Sequence, residues 1–143
     1  MICPEINVRN LQRTIRINSL DLQRFAVRAL RRCLERTKNK STVLTKLSEI
    51  SVLLISDRKM AALHQKFLNQ RGPTDVLTFD HGEIFISVET AKRNARAFGT
   101  SLGEELRLYI VHGLLHLHGF DDRSDASARI MAKTQQKILR QIA

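Results

Sequence analysis

An apolar segment containing two regularly spaced histidines, Ser101 to Asp122, constrains the fold of this chain most strongly. Ser101 is a favourable N-cap residue, and Glu104 lies three residues later, where a capping-box carboxylate reaches back. Gly119 supplies the left-handed residue that commonly ends a helix. The segment is therefore predicted to form a helix that ends in a glycine turn. Its apolar residues include Leu106, Ile110, Leu114 and Leu117.

Two histidines of this helix, His112 and His116, are four residues apart and project from one face. After the turn at Gly119 the chain can double back, which brings the carboxylate of Asp122 to the same point. A single histidine on an apolar helix is more often a hydrogen-bonded core residue, but here the pair, the glycine and the carboxylate coincide. Three ligands with one open position are typical of a catalytic zinc site. His118 lies about 200 degrees round the helix from His116 and is expected to point away.

Two motifs resemble the YbeY family of bacterial and organellar endoribonucleases. The stretch from His112 to Asp122, HGLLHLHGFDD, is similar to the family signature H-G-x-L-H-L-x-G-Y-D-H. The stretch from Pro73 to Phe79, PTDVLTF, resembles the family's P-T-D-V-L-S-F. The resemblance implies a zinc-like ion on the three ligand positions and hydrolysis of single-stranded RNA. It also implies a role in maturation of the 3′ end of small-subunit ribosomal RNA and in ribosome quality control, with the small ribosomal subunit as a partner.

Three positions depart from the family pattern. Asp122 stands where many members carry histidine, and an oxygen ligand shifts metal preference toward harder ions. An arginine expected to face the phosphate is replaced by Leu68, which follows Phe67 in the aligned motif. Arg71, three residues later, is the candidate substitute. Thr78 replaces serine and keeps the hydroxyl.

The composition favours a polyanionic partner. The 143 residues, 43% of them hydrophobic, are enough for one domain, 1–143, with a substantial core. Twenty-four Lys and Arg against 14 Asp and Glu give a formal charge of +10, for which nucleic acid is the commonest partner and anionic membrane surfaces are the main rival. No apolar run approaches the roughly 20 residues that span a bilayer, and no signal-peptide core is evident. We therefore expect a cytoplasmic protein.

A basic helix face is the second candidate functional surface. The helix predicted from Ser19 carries Arg28, Arg31 and Arg32 opposite its apolar stripe. Such a face is often merely solvated. Its functional interpretation is a surface that binds the RNA phosphate backbone without reading sequence.

The apolar pattern along the chain predicts an α+β fold. We expect a small mixed sheet of about four strands with helices packed on it, and a metal-binding helix on one sheet face that resembles the metzincin or zincin arrangement. The predicted elements are a strand from Ile6 to Ile17, a helix from Ser19, a loop from Lys38 to Ser48, a strand from Ile50 to Ile55, a helix after Ser56, an extended approach at Pro73, strands from Val76 to Phe79 and Glu83 to Val88, a helix to Phe98, the metal helix, and a final helix from Ser124. The buried side of the helix after Ser56 is predicted to hold Met60, Leu63, Phe67 and Leu68.

Metzincin proteases share this ligand spacing, as His-Glu-x-x-His-x-x-Gly-x-x-His. Gly113 occupies the position where those proteases carry the glutamate that acts as general base, and glycine cannot accept a proton. The sequence therefore argues against peptide hydrolysis, and a metallopeptidase with an unusual base is the weakest of the alternatives. A similar ligand set can serve phosphodiester hydrolysis, because an ion acidifies water and neutralises charge on a phosphate oxygen.

Within that hypothesis Arg71 or a nearby basic residue stabilises the pentacoordinate state, and Asp121 and Glu83 are candidate proton acceptors, with neither assigned. A further alternative is an RNA-binding ribosome-assembly factor whose metal is structural. That alternative predicts loss of folding, and not only of activity, when the ligands are removed.

Overall fold

The computed structural model describes residues 3–36, 41–72 and 74–142. In chain order the elements are β1 (Glu5–Asn10), α1 (Ser19–Leu34), α2 (Val43–Lys46), β2 (Glu49–Ile55), α3 (Asp57–Leu68), β3 (Val76–Phe79), β4 (Glu83–Ser87), α4 (Val88–Phe98), α5 (Leu102–Leu117) and α6 (Asp125–Ile142). This is an α+β arrangement, as the sequence predicts.

The four strands form one mixed sheet in the order β1-β2-β4-β3. Strands β1, β2 and β4 run parallel, and β3 pairs antiparallel with β4 through the turn from Asp80 to Gly82. Strand β3 consequently lies at an edge of the sheet, where no other strand of the described residues pairs with the outer side of its backbone. The prediction of a small mixed sheet of about four strands is confirmed.

Strand β2 is buried on both faces of the sheet. Val52 and Leu54 contribute to the main core, which also contains buried residues of α1, α5 and α6. Leu53 and Ile55 alternate with them and pack with Met60 of α3 in a smaller core on the opposite face. A strand covered on both faces explains why this segment is a continuous apolar run.

The first strand is shorter than predicted, because it ends at Asn10 instead of continuing to Ile17. Its six residues pair with β2 in register up to Asn10 and Leu54. Beyond that point the Gln12 side chain closes a turn, accepting from the Ile15 N–H at 2.9 Å and donating to the Ile15 carbonyl at 2.6 Å. Ile15 and Ile17 still pack against the core, but from a loop. Their apolar character was therefore wrongly interpreted as strand alternation.

The segment predicted as a loop between Lys38 and Ser48 contains a short helix, α2, so this prediction was wrong for those residues. Thr42 and Thr45 cap each other's backbone at its N-terminus, and Leu44 is fully buried. A single buried leucine and a reciprocal threonine pair are enough to hold one helical turn. Residues 37–40 and Pro73, with its predicted extended approach, lie outside the described residues.

Helix α3 buries less of its apolar side than predicted. Met60 is fully buried and Leu63 is partly buried, but Phe67 and Leu68 are 53% and 50% exposed. The helix packs on β4 and α4. In its last turn Phe67 contacts the ring of Phe79 at the border of the smaller core, and this contact leaves half of the Phe67 side chain in solvent. The predicted burial of Phe67 and Leu68 was therefore wrong.

No helix among the described residues combines the length and the apolar character needed to cross a bilayer.

Candidate metal centre

Helix α5 is fixed in the core before it reaches the histidines. The predicted capping box is present, since Ser101 Oγ accepts from the Glu104 N–H at 3.1 Å and Glu104 Oε1 accepts from the Ser101 N–H at 3.3 Å. Nine residues of the helix are buried, including Ile110 and Leu114 at full burial. Because the core contacts α5 on several sides, the directions in which its histidines point are determined by packing.

Gly113 sets the distance between α5 and the sheet. A Cβ atom at this position would lie 2.8 Å from Cγ2 and 2.9 Å from Cδ1 of Ile84 on β4, too close for any side chain without movement. The position that carries the glutamate base in metzincins is thus filled by the sheet. This packing supports the argument against peptide hydrolysis, while the likeness of the ligand arrangement to that of metzincins stays a prediction.

The C-terminus of α5 turns the chain back as predicted. Gly119 adopts φ +92°, and its N–H donates to the His116 carbonyl at 3.1 Å. The Phe120 N–H donates to the Leu115 carbonyl at 2.9 Å, which completes a Schellman motif. This turn directs the following residues, up to Asp122, toward the histidine face of the helix.

The structure brings the three predicted ligands, His112, His116 and Asp122, together. Each contributes one ligand atom, and these atoms lie within 4.8 Å of one another. The two histidine Nε2 atoms are 3.0 Å apart, close to the roughly 3.3 Å between two nitrogens bound to one tetrahedral zinc ion. Among the described residues, no other three His, Cys, Asp or Glu side chains are gathered in this way. Two imidazoles and a carboxylate fit a divalent ion and leave a position for another ligand.

Gln135 of α6 orients the first histidine, a role the sequence analysis missed. His112 Nδ1 lies 2.5 Å from Gln135 Oε1, and an amide oxygen can only accept, so Nδ1 carries the proton. The lone pair of His112 Nε2 is thereby directed at the ligand cluster. The available signal was a polar residue, half-buried, on the apolar stripe of α6 between Met131 and Ile138.

The second histidine is held neutral. Burial lowers the pKa of His116, and the neighbouring His112 lowers it further. The carboxylates of Asp122 and Asp121 and a hydrogen bond with the Phe120 backbone oppose this shift only in part. A neutral imidazole is the form that binds a metal ion, so the environment of His116 favours ligation at neutral pH.

His118 points away from the metal centre, as predicted. It is 2% exposed, and its Nδ1 lies 2.9 Å from Thr42 Oγ1 while its Nε2 lies 2.6 Å from the Arg36 carbonyl oxygen. His118 therefore joins α5 to the segments before and after the residues 37–40. Its role is structural, and it does not compete with His116 for an ion.

The ligands open into a cleft of about 380 Å³ beside the edge of the sheet. One wall is formed by β3 and the turn after it, with Thr78 and Asp80, and the other by the loop after α5. Asp121 holds that loop, because its carboxylate accepts from the Arg123 N–H at 3.1 Å. Arg123 is exposed and lines the cleft, and the sequence analysis did not single it out.

The remaining predicted site residues lie elsewhere. Arg71 is exposed after α3 and is not among the residues that line the cleft, so its phosphate-facing role stays a prediction. Glu83 Oε1 lies 2.5 Å from His81 Nε2 at the surface, so its carboxylate is hydrogen-bonded to that imidazole. On α1, the predicted basic face is present around an apolar stripe that includes Cys33, whose pKa burial raises to about 12. Arg28, Arg31 and Arg32 border one shallow groove beside the end of α6.

Comparisons with known proteins agree with this geometry. The model of the family described as Endoribonuclease YbeY matches residues 7–143, a span that includes all three ligands. Endoribonuclease YbeY of Bacteroides thetaiotaomicron is 35% identical over 101 residues, which are 66% of this chain and 74% of that relative. Endoribonuclease YbeY of an Anaeromyxobacter species is 39% identical over 103 residues, 65% of this chain and 54% of that relative. A Thermotoga maritima protein known from a solution structure matches with TM-score 0.67 and 26% identity, over 96% of this chain and 88% of that one.

Proposed function

This chain belongs to the endoribonuclease YbeY family, and we propose that it is a metal-dependent endoribonuclease that cleaves single-stranded RNA. The observation that carries the proposal is the convergence of His112, His116 and Asp122 in an open cleft. We further propose that the substrate is ribosomal RNA, that the 3′ end of small-subunit RNA is matured here, and that the enzyme takes part in ribosome quality control. On this proposal residues 1–143 act as one domain, in the cytoplasm, with the small ribosomal subunit as partner.

The ligand set supports zinc as the ion. Two neutral imidazoles and one carboxylate are common ligands of catalytic zinc, although the carboxylate oxygen also suits harder ions. Such an ion, when bound, acidifies water and neutralises charge on a phosphate oxygen. Gln135 keeps the Nε2 lone pair of His112 available, and the turn at Gly119 keeps the carboxylate of Asp122 beside the imidazoles.

Phosphate recognition falls to the basic side chains. We propose that Arg71 takes the place of the arginine missing at Leu68 and approaches the phosphate when RNA is bound. Arg123, which already lines the cleft, is the second candidate for the same charge. An arginine next to the scissile phosphate stabilises the charge that accumulates in the pentacoordinate transition state.

Binding outside the cleft is assigned to the basic face of α1. Arg28, Arg31 and Arg32 lie together on this face, and Arg32 forms an ion pair with Glu35 at 3.3 Å. We propose that they contact the RNA backbone, which contributes affinity without sequence preference. The formal charge of +10 supports such a contact.

The experiment that tests the proposal compares cleavage of single-stranded and duplex RNA by the wild type and by His116→Ala. Metal content and thermal unfolding are measured on both preparations. We expect the variant to fold, to lose the ion and to lose single-strand cleavage. Equal cleavage by both proteins would point to a contaminating nuclease and would contradict the proposal. Loss of folding in the variant would instead favour an RNA-binding assembly factor with a structural metal.

A further inference from the structure

Three aromatic rings form a cluster on the far side of β3 from the metal centre. Phe79 is the last residue of β3, between Thr78 and Asp80, which both line the cleft. Because side chains alternate along a strand, Phe79 faces α3 instead of the cleft. Phe67 of α3 contacts it edge to face, with ring centroids 5.3 Å apart. His81 stacks on it at 5.6 Å, with an angle of 18° between the ring planes. We refer to Phe67, Phe79 and His81 as the ring cluster.

The ring cluster is largely open to solvent. Phe67 is 53% exposed and the His81 side chain is 67% exposed, while Phe79 between them is partly buried against the smaller core. Leu68, the next residue of α3, is also 50% exposed. A phenylalanine held half in water by a neighbouring ring contributes little to the core, so contiguous rings of this kind indicate a binding surface.

The charge beside the rings favours an anionic occupant. Lys66 Nζ lies over the Phe67 ring, 5.3 Å from its centroid, in a cation–π contact that places a positive charge within the cluster. The chain as a whole carries a formal charge of +10. A ligand that combines a flat aromatic face with negative charge matches both properties, and an unpaired nucleotide has this combination.

The position of β3 connects the ring cluster to the cleft. Because β3 is the edge strand, no further strand separates its cleft side from its α3 side. A single RNA strand that occupies the cleft can therefore pass over this edge and reach Phe67. A duplex cannot present a base there, because its bases are already paired and stacked.

We propose that the ring cluster is a stacking site for an unpaired nucleobase of the RNA strand whose backbone lies in the cleft. The inference rests on the proposed endoribonuclease function and adds a physical basis for single-strand preference. Phe67 provides the exposed ring, Phe79 and His81 support it, and Lys66 pairs with a neighbouring phosphate. Stacking of this kind is tolerant of base identity.

The test uses the metal-loaded protein and three variants. Phe67→Leu removes the ring and keeps an apolar side chain, and Phe67→Tyr keeps the ring. Phe98→Leu is the matched control, because Phe98 is 72% exposed at the end of α4 and takes part in none of the ring contacts described for the cluster. Thermal unfolding establishes that all four proteins are folded. The probe is a single-stranded RNA oligonucleotide with one 2-aminopurine, whose fluorescence falls on stacking, read by stopped flow before cleavage.

We expect Phe67→Leu to weaken single-strand binding and raise KM about tenfold, with kcat nearly unchanged, and to restore the 2-aminopurine fluorescence. Phe67→Tyr and Phe98→Leu should bind as the wild type does, and duplex binding should be the same in all proteins. A series of RNAs, each lacking the base at one position, extends the test. For the RNA that lacks the stacked base, wild type and Phe67→Leu should bind with equal affinity, because no base remains to contact the ring.

Unchanged single-strand binding in Phe67→Leu would overturn the proposal, and so would an equal loss for duplex RNA or an equal loss in Phe98→Leu. Each of these three results would rule out stacking of an unpaired base on Phe67. The proposed function fails separately, if the wild type neither binds nor cleaves RNA. If the wild type cleaves RNA and Phe67→Leu binds and cleaves it equally well, the stacking site is refuted and the proposed function stands.

Discussion

Helices α5 and α3 lie on opposite faces of the sheet and both end in a left-handed residue. Gly119 ends α5 at φ +92°, and Asn69 ends α3 at φ 51°. Nine residues of α5 are buried, whereas α3 buries only Met60 completely. The end of α5 is therefore held by the core and presents ligands in a defined geometry. The end of α3 is held by ring contacts and presents an open surface.

The difference follows from what each end has to bind. An ion needs donor atoms placed within a few tenths of an ångström, and such precision requires a rigid support. A flexible single strand needs a flat surface and a positive charge, for which partial exposure is an advantage. The two helix ends thus suit the two parts of one substrate, the scissile phosphate and a base beyond it.

Removal of one ligand should produce the largest effect. His112→Ala leaves two donors at the centre, and the loss of one ligand is expected to lower metal affinity about a thousandfold. Competition with a chelator of known affinity measures the change. His81→Ala is the control, because that histidine is exposed and lies outside the ligand cluster. Similar affinities in the two variants would mean that the ion is bound elsewhere.

Removal of the Gln135 amide, which orients His112, should lower metal affinity less than removal of a ligand does. Gln135→Leu removes the acceptor that fixes the proton on His112 Nδ1, so we expect metal affinity to fall about 10- to 100-fold. Gln136→Leu, at the exposed neighbouring position, should bind the ion as the wild type does. Gln135→Glu should restore or exceed wild-type affinity, because a carboxylate accepts the same hydrogen bond. Equal affinities for all three variants would show that the His112 ring is oriented by the helix alone.

Overpacking beneath the metal helix tests its rigidity. Gly113→Ala forces a methyl group within 2.8 Å of Ile84, and we expect the free energy of unfolding to fall by about 1 to 3 kcal/mol. Gly103→Ala on the same helix meets only Ser101 Oγ at 3.9 Å, so its stability should be unchanged or slightly higher. Urea denaturation measures both. If the two variants unfold alike, α5 is not as closely packed on β4 as the distances indicate.

Substitution of Asp57, in the first turn of α3, should have the smallest effect, and its effect on the free energy of unfolding should depend on pH. Burial alone raises the pKa of Asp57, but hydrogen bonds from Arg93, Ser87 and Thr90 bring this pKa below its ordinary value of 3.8. Both hydroxyls donate to Asp57 Oδ1 at 2.6 Å, and Arg93 lies 2.7 Å from Oδ2. A lowered folded-state pKa gives stability that is complete above pH 3.8 and is lost as the pH falls through the folded-state value.

Asp57→Asn should accordingly reduce the free energy of unfolding by about 1 to 2 kcal/mol at pH 7 and by less at pH 3. Denaturant titrations at the two pH values measure the difference. Asp21→Asn is the control, since Asp21 pairs with Arg107 at 3.1 Å on an exposed surface and its loss should change little. A destabilisation by Asp57→Asn that is as large at pH 3 as at pH 7 would contradict the assignment.

The features that the sequence predicted are those set by local patterns. The spacing of His112 and His116, the glycine stop and the capping box each act within one helix, and all three are confirmed. The continuous apolar run from Ile50 to Ile55 is likewise explained by the burial of β2 on both faces. These features need no knowledge of how distant segments meet.

The features that sequence reasoning missed depend on distant contacts. Gln135 meets His112 only because α6 packs against α5, and no local pattern specifies that encounter. The exposure of Phe67 and Leu68 depends on where the sheet ends, which the helical period of α3 does not encode. Phe67 and Leu68 were therefore predicted to be buried from their helical spacing, although both are half exposed at the end of α3.

The most direct test of the claim that RNA cleavage depends on a bound metal ion is a titration in which the ion is removed with a chelator and then added back. The wild type is stripped with a chelator, and zinc is returned in steps while cleavage of a single-stranded RNA and bound metal are measured together. We expect cleavage to vanish on chelation and to return in proportion to bound ion, reaching a plateau at about one ion per chain. His116→Ala should remain inactive throughout. Cleavage that survives chelation and is equal in the two proteins would contradict the account.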